Sequence, residues 1–504
     1  MSRIEEQRDR AITDLLPQLF PGGRPGLFVG GEWVAGAEHA STEDPSTGAA
    51  ICDVPQATTA EVEAAVECAA EAQPGWAELP PAERVDRLAA LAAELDDARE
   101  VLSVVESLDS GNPLRATRRD VDLGVRYLRQ WPSYALAHAG RATRPHPDGL
   151  SYTLDRPYGV VGRIVAYNHP GLFAVAGLIF PLLAGNTIVI KAADQTPLGT
   201  LALGALLRRT LPPGVVNLVS GGAAAGDALV TSPRIKRLSF VGSGRTAGVI
   251  QSRLSRGGMV KHFTAELGGK NAMIVCPDVE LEDAVDAAVA GMSLRISQGQ
   301  SCQATSRVLV HDSIHDRFCE LMAARLRAMT VGAAYDESVD MGPLVSEHQL
   351  AHVASFLDDL PSGTEIVTGG GRPANAPEGG HYLEPTLVTS APPDARVLRE
   401  EVFGPIVAVQ RWTDEDEALH LANATELGLS AAVWSDDIDR ALRLAHGVEA
   451  GYVWVNDANR HYPGAPFGGV KASGVGREES VEELLSYSET TAVNIRIRPP
   501  RSRS

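Results

Sequence analysis

The 504-residue chain holds only five cysteines (Cys52, Cys68, Cys276, Cys302 and Cys319) and no Cys-x-x-Cys pair. That excludes a disulfide framework, a zinc ribbon and a thioredoxin-like redox motif, and no metal site is expected. A small, odd, scattered set of thiols fits a reducing compartment. Long apolar runs are missing too. The most apolar window, Gly171 to Gly185, contains Pro181 and stops at Asn186, short of the ~20 residues that span a bilayer. Basic residues are in deficit: 45 Lys and Arg against 64 Asp and Glu leave a net charge of −19. Such a balance argues against nucleic-acid and membrane-surface partners, which select basic patches. The opening residues Met1 to Asp9 include acidic side chains and no following apolar core, unlike a secretory leader. The expectation is a soluble, cytoplasmic protein.

What is present is an alternation of helix and strand signals. Residues 57–150 read as mostly helical: Thr58 stands as a capping residue before apolar positions spaced three to four apart, and Pro80-Pro81 opens a second such pattern. From residue 150, Val/Ile-rich runs separate helical stretches: Gly159–Tyr167, Thr187–Ile190, Val215–Val219, Arg237–Val241 and Ala272–Val275. Near-continuous β-branched runs of this kind predict a parallel sheet covered on both faces. A second series follows Cys302, at Val308–Val310, Ile366–Val367, Ile406–Val409, Ala431–Trp434 and Tyr452–Val455. Two α/β units are therefore expected, with a ligand crevice between them. The stretch 138–156 and the segment Ala492–Arg498 fit neither unit and read as edge-like strands, an oligomerisation element. The terminal Arg501 and Arg503 read as a solvated or subunit-contacting tail.

Three short segments carry chemistry. Cys302 lies in Gln298-Gly-Gln-Ser-Cys-Gln-Ala-Thr-Ser-Arg307, where glycine and small polar residues place it on an exposed turn ahead of a strand. A nucleophilic thiolate needs such access, and nearby dipoles that lower a pKa near 8.5. Glu266 ends a short apolar run and precedes Leu267, Gly268 and Gly269; a carboxylate in an apolar setting has a raised pKa and can serve as a general base. Asn168, in Ala166-Tyr-Asn-His-Pro-Gly171, follows a predicted strand, where its amide could donate to an oxyanion. Taken singly, the last two read as readily as a turn glutamate and a capping asparagine.

In order along the chain, Glu266-Leu-Gly-Gly-Lys270, Gly299-Gln-Ser-Cys302, Glu400-Glu-Val-Phe-Gly-Pro405, Val453-Trp-Val-Asn456 and Pro466–Glu478 resemble the NAD(P)-dependent aldehyde dehydrogenase superfamily, of the non-acylating kind, over essentially the whole length. The resemblance implies an α/β fold with two doubly wound parallel-sheet domains: a dinucleotide-binding domain (1–137 and 157–265), a catalytic domain (266–486), and an oligomerisation element with tail (138–156 and 487–504). It also implies oxidation of an aldehyde to the acid. Cys302 would form a thiohemiacetal and then a thioester, Asn168 and the Cys302 N–H would hold the oxyanion, and Glu266 would activate the hydrolytic water.

No Gly-x-Gly-x-x-Gly follows the first strand, and the resemblance assigns the cofactor instead to Gly242 and Ser243 ahead of a helix. Gly222 and Gly226 form an upstream glycine loop. Lys191 and Asp194 would meet the adenosine ribose, favouring NAD while leaving NADP open. Tyr167, Leu267, Gln349, Glu401 and Phe403 complete the implied set. Departures fall at Ala247, in place of glycine and expected to shift the diphosphate, and at Gly177, where a lysine that joins Glu478 in a water relay is usual. His169 and Ala176 would line the substrate tunnel. Asp120 would suit a cationic aminoaldehyde if it points inward, although a solvated helix carboxylate is the plainer reading. A homodimer or homotetramer is implied. The alternatives are a CoA-acylating semialdehyde dehydrogenase, disfavoured because Glu266 is present, and a non-enzymatic binding or structural use of the scaffold. An unrelated cysteine hydrolase would need a histidine partner motif, which is not recognisable among the 13 histidines.

Overall fold

The computed structural model describes residues 3–498; Met1, Ser2 and the tail from residue 499, with Arg501 and Arg503, lie outside the described residues. Two large sheets organise the chain. The eight-stranded sheet is parallel at its centre, where Val216–Val219, Thr187–Lys191, Val160–Ile164, Ile235–Val241 and His262–Glu266 lie side by side in that order. An antiparallel pair, Leu27–Val29 with Glu32–Val34, closes one edge. Strand order reverses between Val160–Ile164 and Ile235–Val241, so a crevice opens at the carboxyl ends of these two neighbours.

Alternate residues of these strands feed two cores. Val161, Ile188, Ile190 and Leu218 pack with Leu88, Leu178 and Leu201 from the helices Pro81–Asp97, Pro170–Leu183 and Pro197–Thr210. Val160, Val189, Val219 and Leu238 pack instead with Val62, Leu229 and Ile250 from Thr59–Glu78, Ala223–Thr231 and Gly244–Arg253. Each fully buried aliphatic side chain of this kind contributes ~1.5–3 kcal/mol. The first of those helices begins as its sequence predicts: Thr58 Oγ1 accepts from Glu61 N–H, and the Glu61 carboxylate accepts from Thr58 N–H, a capping box.

In the seven-stranded sheet, Thr386–Thr389, Ile406–Trp412, Thr305–His311, Asn271–Val275, Ser430–Trp434 and Tyr452–Val455 run parallel, with antiparallel Glu365–Thr368 at one edge. One expectation is corrected here. The run Ala272–Val275, read with the first series, pairs with Thr305–His311 and Ser430–Trp434 near the middle of this second sheet. Buried parallel strands have the same composition in either sheet, so the run itself does not reveal its partners. A third, three-stranded sheet pairs Gly149–Pro157 with Ala142–Thr143 and with Ser488–Arg496, Leu150 opposite Ile495. The two large sheets are also stitched together: Gly474–Val475, which follows all seven strands of the second sheet in the chain, joins the first beside Ala265 and Glu266.

Candidate active site

Glu266 closes its strand and Asn271 opens the next, so four residues carry the chain from the carboxyl edge of one sheet to the amino edge of the other. That passage is tight. A Cβ on Gly269 would lie 2.6 Å from the Cys302 carbonyl oxygen, and one on Gly268 would lie 1.9 Å from Glu401 Oε2. Asn271 then fixes the cysteine turn: its Nδ2 donates to the carbonyls of Cys302 (2.7 Å) and Ala304 (2.9 Å), while its Oδ1 accepts from Ser430 N–H. Gln298, in the left-handed region (φ 55°), donates from Nε2 to the Gly111 carbonyl. The turn is thus clamped from three directions, as a positioned reactive group requires.

The turn is half-buried, not exposed as expected, and its thiol is pushed up to about 12. Burial is the main cause, and the carboxylates of Glu401 and Glu266 add to it. The N–H groups of Gln303 and Cys302 bear on the sulfur in the opposite sense. Such dipoles are what the sequence reading asks for, but two neighbouring carboxylates and desolvation outweigh them. Glu266 is 5% exposed, and among the described residues neither carboxylate oxygen has a hydrogen-bond partner. Burial raises its pKa well above the ordinary value, with Glu478, Glu483 and Glu479 adding repulsion and Arg477 opposing. The Glu401 carboxyl is raised to about 7 by burial, against a hydrogen bond from Gly269 N–H (2.9 Å) and the charge of Lys270. Asn168 is buried beyond the strand Val160–Ile164. Its carbonyl accepts from Asn112 Nδ2 at 2.7 Å, and its side-chain amide has no partner among the described residues.

Two cavities meet at these groups, and Asn168, Val241, Glu266 and Cys302 border both. The smaller, ≈110 Å³, is walled by Tyr127, Trp131, Leu172, Phe173, Ala176 and Phe467. Tyr127 stacks on Trp131 (4.2 Å between centroids), and Trp131 on Phe180 (5.0 Å). Asp120 and His169 line it too. Asp120 is buried, which overturns its reading as a solvated helix carboxylate, and it binds His169 Nδ1 at 2.6 Å. One of its oxygens is therefore already engaged within the protein.

The larger cavity, ≈410 Å³, is bordered by Tyr167, Lys191, Asp194, Gly242, Ser243, Leu267, Gln349, Glu401 and Phe403. Gly222 and Gly226 border an adjoining groove of ≈260 Å³, which shares Lys191, Asp194 and Thr246 with it. Lys191 Nζ holds Asp194 Oδ1 at 2.6 Å. Ser243 caps the helix Gly244–Arg253 by accepting from Thr246 N–H, and a Cβ on Gly244 or Gly248 would meet nothing within 4 Å. Ala247 faces the core at 6% exposure and does not line the groove. Gln349 donates from Nε2 to the Phe403 carbonyl, and the rings of Tyr167 and Phe403 meet edge-on at 5.7 Å.

Residues that motif reading passed over include Asn271, His461 and Arg163. Asn271 stands beside the quoted glycines, and its signal is a polar residue opening a wholly apolar strand. His461 borders the smaller cavity, with Nδ1 on Glu479 (2.8 Å) and Nε2 on Gln303 Oε1 (2.6 Å). Arg163 is a lone charge inside a buried Val/Ile strand and fills the space over Gly177.

Residues 33–493 match the pattern of the aldehyde dehydrogenase family. The chain is 38% identical over 482 residues to "Aldehyde dehydrogenase tropH" of Talaromyces stipitatus, covering 94% of this chain and 93% of that protein. It is 38% identical over 485 residues to "Hydroxyisobutyraldehyde dehydrogenase" of Mycolicibacterium austroafricanum, covering 95% of each. Among solved structures, the NAD+ complex of aldehyde dehydrogenase from Bacillus cereus superposes with a TM-score of 0.91 at 33% identity, over 95% of this chain and 98% of that one. PnpE in complex with nicotinamide adenine dinucleotide gives 0.91 at 36% identity, over 95% and 98%.

Proposed function

The chain belongs to the aldehyde dehydrogenase family, whose general reaction is oxidation of an aldehyde to the acid, and from that premise we propose that Cys302, Asn168 and Glu266 carry the reaction here with NAD. The observation that carries the assignment is that these three residues border both cavities at once. The aldehyde would enter the aromatic cavity and the dinucleotide the larger one.

The donor set fits the dinucleotide. Open space lies over the start of the helix Gly244–Arg253, whose N–H groups favour an anion such as a diphosphate. Beside it, Asp194 is tied through Oδ1 and keeps Oδ2 for a ribose hydroxyl, which disfavours a 2′-phosphate. Gly222 and Gly226 leave the adjoining groove clear, and Glu401, Phe403, Tyr167, Leu267 and Gln349 border the larger cavity. Bound there, NAD supplies the hydride acceptor.

The chain's own groups do the remainder. Cys302 Sγ must lose a proton before it attacks the carbonyl carbon, and Glu266, whose two oxygens lack a partner among the described residues, is kept for the later hydrolytic step. The unpartnered Asn168 amide and the Cys302 N–H donate to the oxyanion of the thiohemiacetal. Once the thioester exists, Glu266 takes a proton from water and the acid is released. Residues 1–137 and 157–265 supply the dinucleotide side and 266–486 the thiol.

The same reading makes the three-stranded sheet an oligomerisation surface, since Leu150, Leu154 and Ile495 lie exposed on one face. Light scattering should give a dimer or tetramer, and a monomer refutes it. The five free thiols and the lack of any helix long and apolar enough to cross a membrane among the described residues support a cytoplasmic location. A panel of aliphatic, aromatic and amino aldehydes with NAD or NADP tests the function. NAD-linked oxidation is expected, and Cys302→Ser should abolish it; retained activity in that variant removes the nucleophile assignment.

A further inference from the structure

Arg163 is 1% exposed, yet its guanidinium borders the cavity that holds Cys302 and Glu266. It grips Glu478 with two nitrogens, Nη1 to Oε1 at 2.8 Å and Nη2 to Oε2 at 3.3 Å, and Nη1 also reaches Ser239 Oγ at 3.3 Å. The room for this side chain comes from Gly177. A Cβ there would lie 2.1 Å from Arg163 Nε and 2.2 Å from its Cδ. Nε itself is buried without a partner among the described residues. A desolvated cation is costly unless it is paired, so the fold has set a permanent charge against one particular carboxylate.

That carboxylate belongs to a crowd. Glu266 faces Glu478, Glu479 and Glu483, together with Arg477 and the Cys302 thiol. Glu479 Oε2 meets His461 Nδ1 at 2.8 Å. Glu483 accepts from Glu479 N–H, faces Arg163 and Arg237, and is raised to about 8 by burial and by Glu478. The Arg477 guanidinium donates to the carbonyls of Gly469 and Gly476. Tyr487 also bears on Arg163. Among the described residues, Arg163 is the cation in direct contact with Glu478.

We propose that Arg163 is a positioning residue for the hydrolytic step: entering through the gap left by Gly177, it pins Glu478 beside Glu266 and offsets the charge against which Glu266 must ionise. The inference rests on Glu266 being the base. It predicts that the guanidinium sets the pH at which the acyl-enzyme is hydrolysed, independently of how fast the enzyme is acylated.

The test uses p-nitrophenyl acetate, an acyl donor that needs no nicotinamide, with burst and steady-state release followed across pH in the full-length protein. Arg163→Met should keep the burst while steady-state hydrolysis falls at least about tenfold, and the rising limb of its pH profile should move up by about one unit or more, as loss of a neighbouring cation dictates. Arg163→Lys, which restores a cation, should bring the limb back toward its original position, and so should Arg163→Met combined with Gly177→Lys. Glu478→Gln removes a like charge and should move the limb down; it also decides the matter if Arg163→Met does not fold. A limb that stays fixed in Arg163→Met, or in Glu478→Gln, overturns the proposal and leaves Arg163 a packing residue. The base assignment is judged separately by Glu266→Gln: if that variant turns over normally, the underlying reading fails; if it stalls while the Arg163 variants leave the limb in place, only the inference fails.

Discussion

Glu266 and Glu401 both bear on the Cys302 sulfur, and burial raises both carboxyls, yet their surroundings differ. Glu401 is anchored by Gly269 N–H and lies within the field of Lys270. Glu266 has no hydrogen bond at either oxygen and is surrounded by other glutamates. A carboxylate whose lone pairs are engaged is fixed in place; one left unbonded in a dry cavity keeps its proton affinity for whatever enters. On the proposed reading, the contrast gives proton transfer to Glu266 and a holding role, facing the larger cavity, to Glu401.

The substitutions that break this contrast rank by expected effect. Glu266→Gln should cut steady-state turnover by ~10²–10⁴ while a single burst of reduced cofactor survives. Stopped-flow absorbance measures both phases, and a lost burst would give Glu266 more than a hydrolytic part. Next comes Asn168→Ala, which leaves both carboxylates in place and removes a side-chain amide from the border of both cavities. A loss of ~10²–10³ in kcat is expected, about 2.7–4 kcal/mol; a change confined to KM would dismiss it as an oxyanion donor.

Glu401→Gln should have the smallest effect on rate, within about tenfold in kcat, with most of the change in KM for NAD. It carries a pH signature as well. The folded carboxyl titrates at about 7 against an ordinary 4.5, so its proton favours the native state. That contribution is complete below about pH 4.5 and is lost as pH rises through about 7, an effect of up to about 3 kcal/mol. Wild-type protein should therefore lose more thermal stability between pH 5 and pH 8 than the variant does. Equal slopes would mean that Glu401 is ionised throughout that range.

Local features were legible in the residues alone. The Thr58–Glu61 cap needs only four consecutive positions, and most Val/Ile runs announce their strands. His262–Glu266 escaped notice because half of it is polar and partly exposed, and Thr386–Thr389 because threonines bracket only two apolar residues. Asp120 lies within a charged run, Arg118 to Asp122, that looks solvated; it shares the buried face of its helix with Thr117, Val121 and Gly124 and meets His169 there. The Arg163–Glu478 contact spans 315 positions, so neither residue reveals the other in the text of the chain. Side chains that act through distant partners are read from structure.

The short strand Gly474–Val475 also bears on how the molecule comes into being. It covers the free edge of the strand that ends in Glu266, yet the ribosome delivers it about 200 residues later. Until then that edge is unpaired and open to wrong partners, a contact of high sequence separation that slows folding. The carboxylates clustered around Glu266 arrive on the same late segment. Apart from Leu484 and Tyr487, the residues of both cores precede that segment, so a nascent chain can assemble most of its core before it has a working centre.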